Sequence, residues 1–233
     1  MASEDGPERA RDAASAAALE LIEPGMALGL GSGRAVWRLI ERIGERWPDE
    51  VPLRAAVASE RTRARAREAG IEVVDLDGEV ELDLALDGAD QIDPSLRLIK
   101  GGGGALLREK IVIAAAARFV VVAETPKRVE HLGEGFRLPV EVARFAWADT
   151  RRRVAGVLPD PELRLSEGGH NPYVTDEGHY ILDCELPGDA NLEDLDDHLR
   201  HVPGVLEYGL FLGMAERALL GSPEGEVEVI EAP

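Results

Sequence analysis

Cysteine, lysine, aromatic side chains and long apolar runs are all scarce in these 233 residues, and each scarcity excludes something. Cys184 stands alone, so no intrachain disulfide can form, and its apolar strand setting marks it as core. Aromatic residues are 4% of the chain, so a core drawn from its 45% hydrophobic content must be mostly Ala, Val, Leu and Ile. The longest apolar stretch, Ile111 to Ala123, is broken by Arg118 and reads as a helix end followed by a strand, not a membrane span. Met1 to Gly6 is acidic and polar, the wrong pattern for a signal peptide. The five histidines show no metal-ligand spacing, and His198 and His201 fall in or just beyond an acidic surface helix. A cytoplasmic protein is expected.

Positive charge is also short. The formal net charge of −19 argues against nucleic acid and anionic membranes as partners. Screening acts over about 8 Å at physiological salt, so an anionic ligand would respond to the charges of its own pocket. Lys100, Lys110 and Lys127 are the only lysines, and each therefore raises a question of role.

What is present is an alternation of strands and helices. The patterning predicts a helix over Ala10–Ile22, stopped by Pro24-Gly25, then a strand over Met26–Leu30. A helix follows with Val36, Leu39, Ile40 and Ile43 on one face. Further strands are expected at Val51–Ala58, Ile71–Leu76, Leu82–Leu86, Leu96–Ile99 and Phe119–Ala123. Ser59 is placed to cap a helix that Gly70 ends, and Ala105–Arg118 reads as another helix. Strands apolar on both faces imply an α/β fold: a mostly parallel sheet covered by helices on both faces. The texture changes at about Leu138. Strands at Leu138–Val142 and Tyr180–Leu186, a helix over Leu192–Arg200 and a strand at Gly209–Leu212 suggest a small α+β unit over 138–208. Residues 1–137 plus 209–233 form the larger domain.

Ligands of such sheets sit beyond the carboxyl ends of the strands. Three unusual segments each follow an expected strand: Gly29–Gly33, Asp87–Asp90 and Lys100–Gly104. Asp87-Gly88-Ala89-Asp90 holds two carboxylates around small residues, which suits close approach of a ligand; a solvated turn fits the pair about as well. In Lys100-Gly101-Gly102-Gly103-Gly104, side-chain-free N–H groups stand at a helix N-terminus, the makings of an anion or oxyanion site with Lys100 at its mouth. Glu109 lies about one turn into that helix, and by itself is an ordinary first-turn acid favoured by the helix dipole. Lys127, after the next strand, opens on the same sheet edge. Gly29-Leu30-Gly31-Ser32-Gly33-Arg34 is a strand–glycine–helix junction of phosphate-cradling type, but it lacks the spacing of a nucleotide-binding loop.

The run Leu86-Asp87-Gly88-Ala89-Asp90-Gln91-Ile92-Asp93, with Leu98-Ile99-Lys100-Gly101-Gly102-Gly103-Gly104-Ala105-Leu106-Leu107-Arg108-Glu109-Lys110, closely resembles type A ribose-5-phosphate isomerase. The likeness continues through Ala123–Lys127, Leu138–Val142, Pro203-Gly204-Val205 and Gly209-Leu210-Phe211, and covers essentially the whole chain. It implies a ferredoxin-like lid domain beside the α/β domain, assembly into homodimers or homotetramers, and no metal or cofactor. The implied activity interconverts ribose 5-phosphate and ribulose 5-phosphate through a cis-enediolate, in the pentose phosphate pathway. Carried over by the resemblance, Glu109 shuttles the proton between C1 and C2. Asp87 assists ring opening and the hydroxyl proton transfers, and Asp90 binds sugar hydroxyls. Lys100 and the amides of Gly101, Gly102 and Gly103 stabilise the enediolate oxygen, beside the Gly88-Ala89 turn. Lys127 binds the open-chain sugar, and Ser32, Gly33, Arg34 and Ala35 hold its remaining end, with Arg11 contributing to the same pocket.

One loop departs from the family pattern. Where the family reads Gly-Thr-Gly-Ser-Thr-Ala, this chain reads Gly31-Ser32-Gly33-Arg34-Ala35-Val36, losing two hydroxyl donors and gaining a guanidinium. Arg34 is suited either to grip a phosphate bidentately or to fill the pocket and admit a different sugar. The alternatives are therefore an isomerase of another aldose phosphate, or a non-catalytic sugar-phosphate sensor on the same fold.

Overall fold

The computed structural model describes residues 6–232; the acidic start, Met1 to Asp5, lies outside the described residues. In chain order come helix α1 (Gly6–Leu19), β1 (Ala27–Leu30), α2 (Arg34–Arg46), β2 (Arg54–Val57), α3 (Glu60–Glu68), β3 (Glu72–Val73) and β4 (Leu84–Asp87). A hairpin of β5 (Gln91–Ile92) and β6 (Leu98–Ile99) leads to α4 (Leu106–Ala114) and β7 (Phe119–Glu124). Next are β8 (Leu138–Val142), α5 (Trp147–Val154), β9 (Glu162–Leu163), β10 (Tyr180–Cys184), α6 (Leu192–Arg200) and β11 (Val205–Tyr208). The chain ends with β12 (Leu210–Phe211), β13 (Arg217–Gly221) and β14 (Val227–Glu231).

The main sheet has seven strands in the order β14-β13-β7-β4-β1-β2-β3, parallel except for β14. Its strands are short and buried on both faces, as the uninterrupted apolar runs require. Leu28, Leu30, Leu84, Leu86, Val120 and Val122 face α1, α2 and Ala66 of α3. Alternate residues face the other way, where Val112 and Ile113 of α4 and the apolar side of a three-stranded sheet, β12-β6-β5, cover them. One face is therefore closed partly by a small sheet that the sequence pattern does not announce.

The remaining strands form a four-stranded antiparallel sheet in the order β11-β8-β10-β9. With α5 and α6 in the crossovers, this is the βαββαβ arrangement of a ferredoxin-like unit. It has its own core, built on Val140, Val142, Leu182, Cys184, Leu195 and Leu199.

Ends differ from expectation for local reasons. Helix α1 stops at Leu19, and Leu21 and Ile22 close into tighter turns onto Ala18 and Leu19. Helix α4 stops at Ala114 because Ala117 N–H bonds to the Leu82 carbonyl and Ala116 bridges to Leu82, drawing the chain into the sheet. Ser59 caps α3 as expected, its hydroxyl accepting from Thr62 N–H.

Gly29 lets α4 lie directly on β1: a Cβ there would stand 2.8 Å from Val112 Cγ1 and 3.2 Å from the Ala85 Cβ. Overpacking of this kind costs about 1–3 kcal/mol. Gly29→Ala should lose stability of that order in urea unfolding, and Val112→Ala in the same chain should recover part of it. Full stability in the single variant would show that α4 is not seated on β1 in this way.

Candidate active site

The strand order reverses between β1 and β4, the place where an open parallel sheet forms a crevice. Four neighbouring strands deliver residues there from their carboxyl ends. Strand β1 leads to Ser32–Ala35, β2 to Ser59 and Arg61, β4 to Asp87–Asp90, and β7 to Glu124 and Lys127. The glycine run arrives differently. Lys100 follows β6, which belongs to the three-stranded sheet and not to the main one, so the expectation of one common sheet edge is corrected on this point.

At the base of the crevice three charges are buried together. Asp87, alternating with Leu86, projects to the α4 side of the sheet, where Glu109 meets it. Lys100 Nζ lies 2.8 Å from Asp87 Oδ2 and 3.2 Å from Glu109 Oε2, and donates to the Gly88 carbonyl at 2.6 Å. Asp87, Lys100 and Glu109 are 0%, 2% and 5% exposed. Lys100 thus sits in the floor and not at the mouth, as the sequence had suggested. Its desolvation is offset by the two carboxylates, which outweigh burial and hold its pKa above the ordinary lysine value. Burial, with Asp87 adding to it and Lys100 opposing, pushes Glu109 up to about 8. Asp87 is also raised by burial, against the pull of Lys100. Its Oδ1 accepts from Ser32 N–H at 3.2 Å and Gly88 N–H at 2.7 Å. The glycine loop of β1 can press on this carboxylate only because Gly31 has no side chain; a Cβ would fall 1.8 Å from Asp87 Cγ.

Above the floor is a cavity of about 510 Å³. Ser32, Gly33, Arg34 and Ala35 line it from the β1 loop, Gly88, Ala89 and Asp90 from the β4 turn, and Lys127 from beyond β7. Lys100, Gly101, Gly103 and Glu109 complete the expected set on its wall. Three expected residues stand behind it. Asp87 is covered by Lys100 and Glu109, and Gly102 donates its N–H to Asp90 Oδ2 at 2.7 Å. Arg11 is turned to Glu124, with Nε 2.8 Å from Oε1, so it holds a wall residue and does not line the cavity itself.

Neighbours of Glu109 leave it alone, as adjacent helical positions should. Arg108 pairs with Glu60 and Glu177, and Lys110 with Glu207. Arg34, Arg61 and Lys127 are different: all three line the cavity, and among the described residues none has a carboxylate within ion-pair range. Helix α2 adds its N-terminus, which has no side-chain cap at Gly33. Unpaired cations beside free helix N–H groups form a site for an anion.

Sequence reasoning missed Arg61, Trp37, Tyr173 and Asp176 on this wall. Arg61 stacks over the Trp37 ring at 4.0 Å, and follows the Ser59 cap at the end of β2, so the same carboxyl-end rule points to it. Tyr173 and Asp176 come from the loop between β9 and β10 of the ferredoxin-like unit, and no local pattern marks them. Among the described residues, no cluster of three or more His, Cys, Asp or Glu side chains is arranged to hold a metal ion, and no helix is long and apolar enough to cross a membrane.

Comparison with known proteins agrees with this geometry. The chain is 49% identical over 225 residues to ribose-5-phosphate isomerase A of Roseiflexus castenholzii, covering 96% of this chain and 95% of the relative. Ribose 5-phosphate isomerase A of Methanocaldococcus jannaschii superposes with a TM-score of 0.88 at 32% identity, covering 95% of this chain and 97% of that one. A D-ribose-5-phosphate isomerase in complex with phospho-erythronic acid matches with the same score, identity and coverage. With the family model for ribose 5-phosphate isomerase A (phosphoriboisomerase A) matching residues 54–225 as well, the chain belongs to the ribose 5-phosphate isomerase A family.

Proposed function

We propose that this protein interconverts ribose 5-phosphate and ribulose 5-phosphate, with Glu109 moving a proton between C2 and C1 through a cis-enediolate. The observation that carries the reading is the buried Glu109–Lys100–Asp87 cluster opening into a cavity walled by unpaired cations. A proton α to a carbonyl is weakly acidic, so its removal needs a placed base and a stabilised oxyanion. Glu109, with its raised pKa, is a strong enough base once ionised. It takes the C2 proton of the open-chain aldose and returns it to C1, while a proton passes from O2 to O1. Lys100 and the Gly101 and Gly103 amides face the oxygen that becomes negative. Asp90 binds sugar hydroxyls. Asp87 has no surface on the cavity, so its part in ring opening and hydroxyl proton exchange runs through the Lys100 ammonium 2.8 Å away. Lys127 binds the open-chain sugar, and Arg34 with the α2 N-terminus holds the phosphate end.

The same reading takes 1–137 with 209–233 as a catalytic body and 138–208 as a lid unit. It places the protein in the cytoplasm as a homodimer or homotetramer. The named substrate is supported by the family; its phosphate is supported by the wall cations.

Three measurements test this. Purified protein should convert ribose 5-phosphate to ribulose 5-phosphate in EDTA, and Glu109→Gln should lower kcat by about 10²–10⁴-fold, the usual loss of a general base. Wild-type turnover in that variant would remove Glu109 from the mechanism.

The base must be ionised, so kcat/KM should rise with pH to a plateau, with a midpoint near Glu109's value of about 8. That limb is distinct from the substrate phosphate, which ionises near ~6. Asp87→Asn removes a like charge beside Glu109 and should move the limb to lower pH. An unmoved limb would mean that the two carboxylates do not titrate as a pair.

Arg34→Ala should raise KM for ribose 5-phosphate about ten- to a hundredfold with kcat little changed, since one hydrogen bond to a charged group is worth about 1.5–3 kcal/mol. Arg34→Ser with Ala35→Thr restores the family's hydroxyls and should bring KM back. A large gain in activity in that double variant would instead indicate a loop turned toward another sugar.

A further inference from the structure

We infer that Arg164, in the ferredoxin-like unit, is a positioning residue for the isomerisation: it aims the Gly103 N–H at the enediolate oxygen by holding the peptide carbonyl on the other side of that amide. The inference rests on the isomerase reading above. Arg164 follows β9 directly, and its Nη1 donates to the Gly101 carbonyl at 2.8 Å and the Gly102 carbonyl at 3.1 Å. In a planar trans peptide the C=O and the next N–H point in opposite directions. Fixing the Gly102 carbonyl toward Arg164 therefore turns the Gly103 N–H away from it.

The neighbouring amides are already committed. Gly102 N–H goes to Asp90 Oδ2, and Gly104 N–H to the Gly101 carbonyl at 3.0 Å. Among the described residues, Gly103 N–H has no protein acceptor. Gly103 also lines the cavity, and a Cβ built there would meet nothing within 4 Å, so space for a ligand oxygen is open beside it. The Gly103 carbonyl is held in turn by the Tyr173 hydroxyl at 3.1 Å. Three successive carbonyls of the glycine run are thus gripped by one unit of the fold while the reacting atoms lie in the other.

Arg164 is itself held rigidly. Asp183 of β10 takes it bidentately, with Nε to Oδ2 at 2.9 Å and Nη2 to Oδ1 at 2.5 Å, and the guanidinium is largely covered. A glycine run has high backbone freedom, so an amide in it is a useful oxyanion donor only if something outside the run fixes it. Arg164 does not line the cavity. Its loss should be felt where negative charge develops, not where the phosphate or hydroxyls bind.

The test is steady-state kinetics on the full chain for wild type, Arg164→Ala, Arg164→Lys and Asp183→Asn, with inhibition by phospho-erythronic acid. That aldonate carries two oxygens and a negative charge at the end where the enediolate would form. Direct removal of an oxyanion donor costs about 10²–10³-fold in kcat; Arg164→Ala, acting one peptide away, should cost about tenfold or more. KM for ribose 5-phosphate should stay within about threefold, and the inhibition constant should rise in step with the loss in kcat. Arg164→Lys, which keeps a donor, should recover part of the rate. Asp183→Asn should lower kcat by the same route, and with the lysine variant it carries the test if the alanine variant does not fold. Unchanged kcat in these variants, or KM and the inhibition constant weakening together, would overturn the inference while leaving the isomerase reading intact. A wild-type protein without turnover would overturn both.

Discussion

The site depends on one ammonium held between two carboxylates away from water. Lys100 touches Asp87 and the Gly88 carbonyl at the end of β4, and Glu109 on α4. Asp87 reaches it because a two-residue period sends that side chain to the α4 face of the sheet. Glu109 reaches it because Gly29 lets α4 settle onto β1. The Gly88 carbonyl arrives in the turn after β4. A buried ion cluster is weak evidence for stability, since desolvation opposes the Coulombic gain. Here it opposes stability in a definite pH range. Glu109's pKa of about 8 exceeds the ordinary 4.5, so between those values the folded chain keeps a proton the unfolded chain has released. Stability therefore falls as pH rises through that window. The fold tolerates the strain because large apolar cores lie on both sides of the sheet.

Charge on the molecule as a whole and charge at the site have opposite signs. A formal −19 would repel a sugar phosphate from afar. At physiological salt that field decays over about 8 Å, and the cavity itself is lined by Arg34, Arg61, Lys127 and the α2 N-terminus. Much of the arginine elsewhere is spent in surface ion pairs, such as Arg38 and Arg42 on Asp12 and Arg118 on Glu216. The cations open to an anionic ligand are those left without a carboxylate. The replacement of two loop hydroxyls by Arg34 and Ala35 fits this pattern: donors are exchanged for a charge placed where the surface supplies none.

Much of this was legible in the sequence because the relevant signals are local. Uninterrupted apolar runs mark parallel strands, Ser59 marks a cap, and Asp87, Lys100 and Glu109 stand in motifs beside expected strand and helix ends. Burial was not legible. Lys100 reads as a residue at a loop mouth until the antiparallel β5–β6 hairpin carries it under the turn at Gly88, and two-residue strands leave no periodicity to detect. Arg11 reads as a pocket residue only through the family resemblance; the contact with Glu124 that claims it spans 113 residues of sequence and appears only in three dimensions. Tyr173 and Arg164 were invisible for the same reason, since the glycine run they hold is far away in the chain and contributes only backbone carbonyls.

Under the proposed mechanism, one lysine supplies the positive charge that the enediolate needs. With Glu109 ionised, the Lys100 ammonium offsets one of the two negative charges of Glu109 and Asp87. As the proton leaves C2, Glu109 becomes neutral and the substrate oxygen becomes negative, so one unit of charge moves across a short distance within reach of the same ammonium. Lys100 stays in place while its charge partner shifts from Glu109 to the new oxyanion, and the total charge of the buried region is unchanged. No group has to be drawn in from water, which is the condition under which a preorganised site costs least to operate. Asp87, 2.8 Å away on the far side, keeps the ammonium in place. The raised basicity of Glu109 and the fixed position of Lys100 are therefore two consequences of the same burial: the first makes the proton transfer feasible, and the second gives the displaced charge somewhere to go.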